Sequence, residues 1–298
     1  MGKRVLLFLA TNLLVVLTIS VLTTVLGIRP FLQANGIDYG SLAAFCLLWG
    51  MGGAFISLAL SRVMAKRLMG VKVIDPASSD TRSQQLLQMV GQLARGASIP
   101  TPEVGVYESP DINAFATGPT KKRSLVAVSS GLLQKLDRDE VEGVLSHEIS
   151  HIANGDMVTM TLLTGVVNAF VMFLARVIAF AIAQALRRDD SEGISRMTFM
   201  VTTFALEMVF MIFGSMVVAA FSRHREFRAD AGGARLAGAD KMANALEALR
   251  RDVANVPTQT PATIAAMQIS SPSRLGMLFA SHPPLEERIT RLRSGAAL

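Results

Sequence analysis

The chain has 298 residues, 51% of them hydrophobic and only 17% charged, where soluble domains carry roughly 25%. Its net charge is +6, but the Lys and Arg residues sit beside apolar runs, so membrane anchoring explains them and no nucleic-acid partner is expected. The single cysteine, Cys46, excludes an intramolecular disulfide and a Cys-rich metal site, and its apolar neighbours mark it as a small buried hydrophobe.

In chain order, Val5 to Ile28 and Gly40 to Leu60 are apolar runs without a charge. Each is long enough to cross a bilayer, because about 20 helical residues span about 30 Å of hydrocarbon. The first exceeds the roughly 7–15 residues of a signal-peptide core, and no small-residue cleavage site follows it, so it is expected to stay as an anchor. The turn from Gly27 to Gly40 would join the two as a hairpin. Two further runs, Val158 to Leu186 and Phe199 to Phe221, flank the polar loop Arg187 to Gly193. Arg176 and Glu207 interrupt them at similar depth. Intramembrane charges are costly and are usually paired or face a cavity; either an Arg176–Glu207 pair or two separate groups in a wet groove would satisfy that rule.

Lys3, Arg4, Arg62, Lys66, Arg67, Lys72, Arg223, Arg225 and Arg228 collect on one side of this arrangement, and Arg29, Arg187, Arg188 and Arg196 on the other. The excess places both termini and both large polar segments in the cytoplasm. Four parts follow: an N-terminal transmembrane hairpin (1–60), the first part of a cytoplasmic domain (61–157), a second transmembrane hairpin (158–221), and the second part of the same domain (222–298). In that domain Ser83 to Ala97 has helical periodicity. Glu103 to Tyr107 and Ser124 to Val128 alternate as strands, and Asn113-Ala114-Phe115-Ala116 is a candidate third strand. Leu285 to Leu292 is amphipathic behind Pro283 and Pro284.

The chemistry concentrates in Leu145-Ser146-His147-Glu148-Ile149-Ser150-His151-Ile152. Asp137 with Glu140 reads as a capping box, and Asn154-Gly155 as the stop, so this stretch is a helix. Two of the chain's four histidines stand four residues apart on one helix face, where both imidazoles can reach one ion. Glu148 is offset by about 100° and can reach a water on that ion. This is the H-E-x-x-H arrangement of metallopeptidases; two helix-surface histidines without a metal are the plainer alternative. A catalytic zinc usually takes a third protein ligand. Glu226 suits that place, and Asp230, four residues on, suits an acceptor for the free N–H of a liganding histidine. A solvated charged face and His224 as a rival ligand remain open alternatives at this point.

With those residues in view the chain resembles the HtpX family of bacterial membrane zinc metalloproteases, relatives of the CAAX prenyl endopeptidases. The likeness runs through Asn113-Ala114-Phe115-Ala116, the His147 to His151 motif with Asn154-Gly155-Asp156, Glu226-Phe227-Arg228-Ala229-Asp230, and Ser281-His282-Pro283-Pro284-Leu285-Glu286-Glu287-Arg288. It implies an α-helical membrane protein of about four transmembrane helices with a cytoplasmic α+β zincin-like metalloprotease domain. It implies one Zn2+ per chain held by His147, His151 and Glu226, with Glu148 as general base and Asp230 behind a ligand. It places His282 near the site as an oxyanion donor or substrate contact, against the reading of a turn histidine. It also implies that Asn113 to Ala116 hold an extended substrate by edge pairing. The resemblance further implies an inner-membrane, multi-pass protein that cleaves membrane or misfolded proteins in stress-linked quality control. A catalytically inactive membrane scaffold or stress sensor of the same fold is the alternative, and the intact Glu148 argues against it. A transporter would need repeated halves or broken helices, and neither is visible in the sequence.

Overall fold

The computed structural model describes residues 38–185, 196–255 and 278–295. The expected first span and the Arg187 to Gly193 loop lie outside the described residues. The chain divides into two units, Met1–Ile56 with Thr161–Val218 and Ser57–Met160 with Ala219–Leu298.

Three helices are long and apolar enough to cross a membrane: α1 (Tyr39–Leu68), α5 (Asp156–Ala185) and α6 (Arg196–Ala237). At 1.5 Å per residue, α6 is about 63 Å long, twice the hydrocarbon thickness. It is apolar as far as Phe221 and polar from Ser222 onward. The polar segment expected to begin after the fourth run is therefore a continuation of the same helix.

In the first unit, small residues bring helices close, as expected where lipid supplies no hydrophobic drive between them. A Cβ on Gly50 would meet the Ala169 backbone nitrogen at 2.5 Å, and one on Gly165 would meet the Met51 sulfur at 2.7 Å. Cys46 is buried with Phe173 and Val177, and Tyr39 meets Phe173 edge to face at 5.5 Å. Arg176 Nη1 lies 2.6 Å from Glu207 Oε1 and also donates to the Met172 carbonyl. Of the two sequence readings, the pair is the one present. Leu48, Trp49, Phe204 and Phe213 stay exposed, apolar surface suited to lipid.

The second unit holds a four-stranded sheet in the order β1-β2-β4-β3. Its strands are β1 (Lys72–Val73), β2 (Glu103–Tyr107), β3 (Ala114–Thr120) and β4 (Arg123–Ser129). β2 and β4 run parallel, and β3 returns antiparallel to β4. β4 is buried along Ser124–Ser129, as an interior strand should be. The candidate strand at Asn113 to Ala116 is real but displaced, beginning at Ala114 and running on to Thr120. The remaining helices are α2 (Thr81–Gly96), α3 (Ser130–Lys135), α4 (Arg138–Asn154), α7 (Ala239–Asn255) and α8 (Leu285–Arg293).

Alternation along the strands separates two faces. Val104, Val126 and Val128, with Ala114 and Ala116 beside them, pack on Leu86, Val90 and Leu93 of α2 and on Val141, Leu145, Ile149 and Ile152 of α4. Tyr107, Leu125, Ala127 and Phe115 turn the other way, against Ala65 near the end of α1. A third cluster, with Met242 and Leu246 of α7 against Ile289 and Leu292 of α8, seats the last helix.

Candidate metal centre

Helix α4 carries the H-E-x-x-H segment, and its ends are formed as the sequence predicts. Asp137 accepts from the Glu140 amide, and the Glu140 carboxylate accepts from the Asp137 amide in return, completing the capping box. Gly155 closes the helix in the left-handed conformation, φ 69°. Between these ends, His147, Glu148 and His151 are all buried.

Glu226 and Asp230 are one turn apart on α6, fully buried or nearly so. Glycines allow α6 to approach α4 this closely. A Cβ on Gly232 would lie 2.6 Å from Ser150 Oγ, and one on Gly233 would lie 3.0 Å from Ser146 Oγ. On the α4 side, Ser146 and Ser150 spend their hydroxyls on their own helix carbonyls, so the contact leaves no polar group unmet.

His147 Nε2 and His151 Nε2 face each other at 3.0 Å. Glu226 Oε2 lies 3.3 Å from the first, and Glu226 Oε1 lies 3.4 Å from the second. With ligand bonds of about 2.0–2.1 Å, the edges of a tetrahedral zinc shell are about 3.3 Å long. The three side chains thus stand at the spacing such an ion requires, and each can offer one ligand atom to it.

The far ring nitrogens explain why the Nε2 atoms converge. His151 Nδ1 lies 2.7 Å from Asp156 Oδ2. His147 Nδ1 lies 2.9 Å from Asp230 Oδ1, an ion-pair approach in which the N–H is not aimed squarely at the oxygen, so Nδ1 lacks a well-formed hydrogen bond. A carboxylate behind each histidine fixes the ring and leaves Nε2 for a metal. Arg228 in turn pairs with Asp156. Arg288 grips Asp230 with two bonds, Nε to Oδ2 at 2.8 Å and Nη2 to Oδ1 at 2.7 Å.

Four buried carboxylates, Glu148, Asp156, Glu226 and Asp230, are gathered here with the buried Arg288 and the half-exposed Arg228. Arg225 also reaches Glu226, at 3.3 Å, and a cluster this rich in buried carboxylates suits a cation among the two histidines and Glu226. Burial pushes the His147 imidazolium down, but Asp230 and Glu226 outweigh it and hold the group at about 9. Burial works against Glu226 too, yet contacts from His147, His151 and His282 keep its carboxyl far below the ordinary range. His151 is raised in the same manner, burial being overcome by Asp156 and Glu226. The donor set fits a divalent metal.

His282 lies 2.9 Å through Nδ1 from Glu226 Oε2, and its side chain is 63% exposed. It touches a member of the metal group and also meets solvent. His224 is exposed and lies outside the group. Ala114, Phe115 and Ala116 are on β3, an edge strand packed against α4; Asn113 stands just before it, and its amide donates to Ser129 Oγ. Asp156, Arg228 and Arg288 were visible in the motif segments, but no local signal gave them partners. Asp156 reads as the start of a span, and Arg288 as one basic residue of an amphipathic helix.

A buried His/His/Glu group on paired helices next to a small sheet, in a chain that also carries three membrane-length helices, defines a membrane metallopeptidase. The model of peptidase family M48 matches residues 80–296. Protease HtpX homolog of Bacillus velezensis is 47% identical over 99% of this chain and 100% of its own length. Protease HtpX of Shewanella loihica is 48% identical over 98% and 99%. Among solved structures, S. mikatae Ste24p shares the fold, with a TM-score of 0.62 and 17% identity over 96% of this chain and 67% of that one. The chain belongs to peptidase family M48, among the HtpX proteases, as the resemblance in its motifs implied. It is a membrane-bound metalloprotease.

Proposed function

We propose that this protein is a zinc endopeptidase of the inner membrane that cleaves membrane or misfolded proteins in quality control. In this reading the chain crosses the bilayer four times, and the catalytic domain and both termini are cytoplasmic. The Lys and Arg excess on one side supports the orientation, and the apolar run Val5 to Ile28 supports the fourth crossing.

The observation that carries the reading is the spacing of the His147, His151 and Glu226 donor atoms, next to a buried Glu148. These three side chains would hold the ion, with Asp230 and Asp156 orienting the histidines. A zinc ion held there would polarise the scissile carbonyl and acidify water. Glu148 takes the proton from the attacking water and returns it to the leaving amine. Its position is close enough for its charge to raise both His151 and Arg288. His282, exposed beside Glu226, is placed to donate to the developing oxyanion. β3, with its outer edge unpaired among the described residues, holds an extended substrate through backbone hydrogen bonds.

The test combines metal content with cleavage of an unfolded protein by the full chain in detergent, after chelation and zinc return. Wild type should bind about one zinc and cleave. Glu148→Gln should bind zinc but lose about 10²–10⁴-fold in rate, and Glu226→Ala should bind zinc poorly. Cleavage by Glu148→Gln at the wild-type rate would end this assignment. Zinc-independent loss of all activity would favour an inactive scaffold or stress sensor instead.

A further inference from the structure

The far side of the sheet contains a hollow that the metal centre does not use. It has an open volume of about 370 Å3 and is lined by Ser57, Ser61, Met64, Ala65, Leu68 and Met69 of the last turns of α1 and the residue after it, and by Phe115, Ala116 and Thr117 of β3. Every lining residue belongs to the second unit. Positions 57, 61, 64, 65 and 68 form one stripe of the helix. Ala65 is the buried floor, while Met64, Leu68 and Met69 are large apolar side chains left open to solvent. Ser61 Oγ donates to the Leu58 carbonyl, so the hollow's character is apolar. The Phe115 ring is held in place against Tyr107, with centroids 5.7 Å apart.

We propose that this hollow is a substrate subsite: it receives a bulky aliphatic or aromatic side chain from an extended polypeptide paired along the open edge of β3. The inference rests on the edge-pairing reading above and follows from strand geometry. Phe115 and Thr117 stand opposite Ala127 and Leu125, on the face turned toward α1. Ala114 and Ala116 belong to the face packed on α4, the metal-bearing helix. A strand added at β3 must alternate in the same way, since successive side chains point to opposite faces. Residues of one parity then face the metal helix, and those of the other parity fall over the hollow. Its volume sits near the lower end of ligand pockets, roughly 300–1,000 Å3, which suits one or two side chains and not a folded partner. Selection therefore acts on alternate positions around the cleaved bond, favouring Leu, Met or Phe and disfavouring charge.

The test is a positional scan with the full-length zinc-loaded protein in detergent. Quenched fluorescent peptides differ at one position at a time, carrying Leu, Ala or Lys. Wild type should prefer Leu to Lys by about tenfold or more at positions of one parity. Leu68→Glu should narrow or invert that ratio, and Ser61→Phe should shift preference from Leu toward Ala at the same position. These are ratios within one protein, so an overall loss of rate does not mask them. Equal rates at every position in wild type would overturn the subsite, as would ratios unmoved in both variants. If the variants instead change only the phospholipid that copurifies, the hollow belongs to an acyl chain and the proposal fails. Zinc-dependent cleavage without positional preference removes the subsite and leaves the protease reading standing. Absence of any cleavage by the zinc-loaded chain removes both.

Discussion

At the scale of single residues, the candidate centre is braced by carboxylates outside the His147, His151 and Glu226 group. Asp156 holds His151 Nδ1 and is itself held by Arg228. Asp156→Asn keeps the shape but weakens the hold on the ring. The expected result is a 10–100-fold loss of metal affinity with helix content unchanged, read by competition with a chelating dye. Arg288 neutralises the buried Asp230. Arg288→Gln removes both guanidinium bonds and leaves His147 as the charged neighbour of Asp230, so about 3 kcal/mol of stability should go, measured by chemical denaturation of the metal-free protein. The pH response follows from His147, whose proton is held to about 9 where an ordinary histidine loses it near 6.5. A raised histidine stabilises the metal-free fold fully below about pH 6.5 and ceases to do so as pH rises through about 9. The same proton must leave before Nε2 accepts a metal. Apparent zinc affinity should therefore rise with pH across that window, about tenfold per unit for one proton, with proton release detectable by titration calorimetry in two buffers.

At the scale of elements, two contacts decide how helices meet. Arg176 of α5 and Glu207 of α6 pair inside the apolar unit. Glu207→Gln leaves the guanidinium with a neutral partner, and a loss of about 1–3 kcal/mol is expected, seen as a lower melting temperature in detergent. An unchanged melting temperature would show that the pair does not hold these helices. In the other unit α4 and α7 meet at Gly143, where a Cβ would lie 2.5 Å from the Lys241 carbonyl oxygen and 2.9 Å from Ala245 Cβ. Gly143→Val must push α7 outward at a cost of about 1–3 kcal/mol. Since α7 carries the seat of α8, and α8 carries Arg288, metal affinity should fall together with stability.

At the scale of the whole molecule, metal binding and folding are expected to be linked, because the candidate donors come from helices α4 and α6, which only the folded chain brings together. Zinc at a hundred times its dissociation constant should stabilise the chelated protein by about 2.7 kcal/mol. A thermal scan with and without zinc measures this, and Glu226→Ala should abolish the difference. The sequence by itself determined the features whose geometry is local. Caps marked α4, periodicity marked α2, the i, i+4 rule put His147 and His151 on one face, and run length marked the apolar helices. Glu226 was a candidate third donor in the sequence, because it repeats the i, i+4 spacing with Asp230, but His224 stayed a rival until the family resemblance favoured Glu226. Only the tertiary structure decided which distant groups close the centre. Asp156 with Arg228, Asp230 with Arg288 and Glu226 with His282 lie 72, 58 and 56 residues apart, and no periodicity links positions so far apart. The approach of α6 through Gly232 and Gly233 and the hollow between α1 and β3 also depend on how faces dock. Helical spacing is fixed by the backbone within a few residues, whereas the burial of an arginine against an aspartate is fixed by the packing of every element between them.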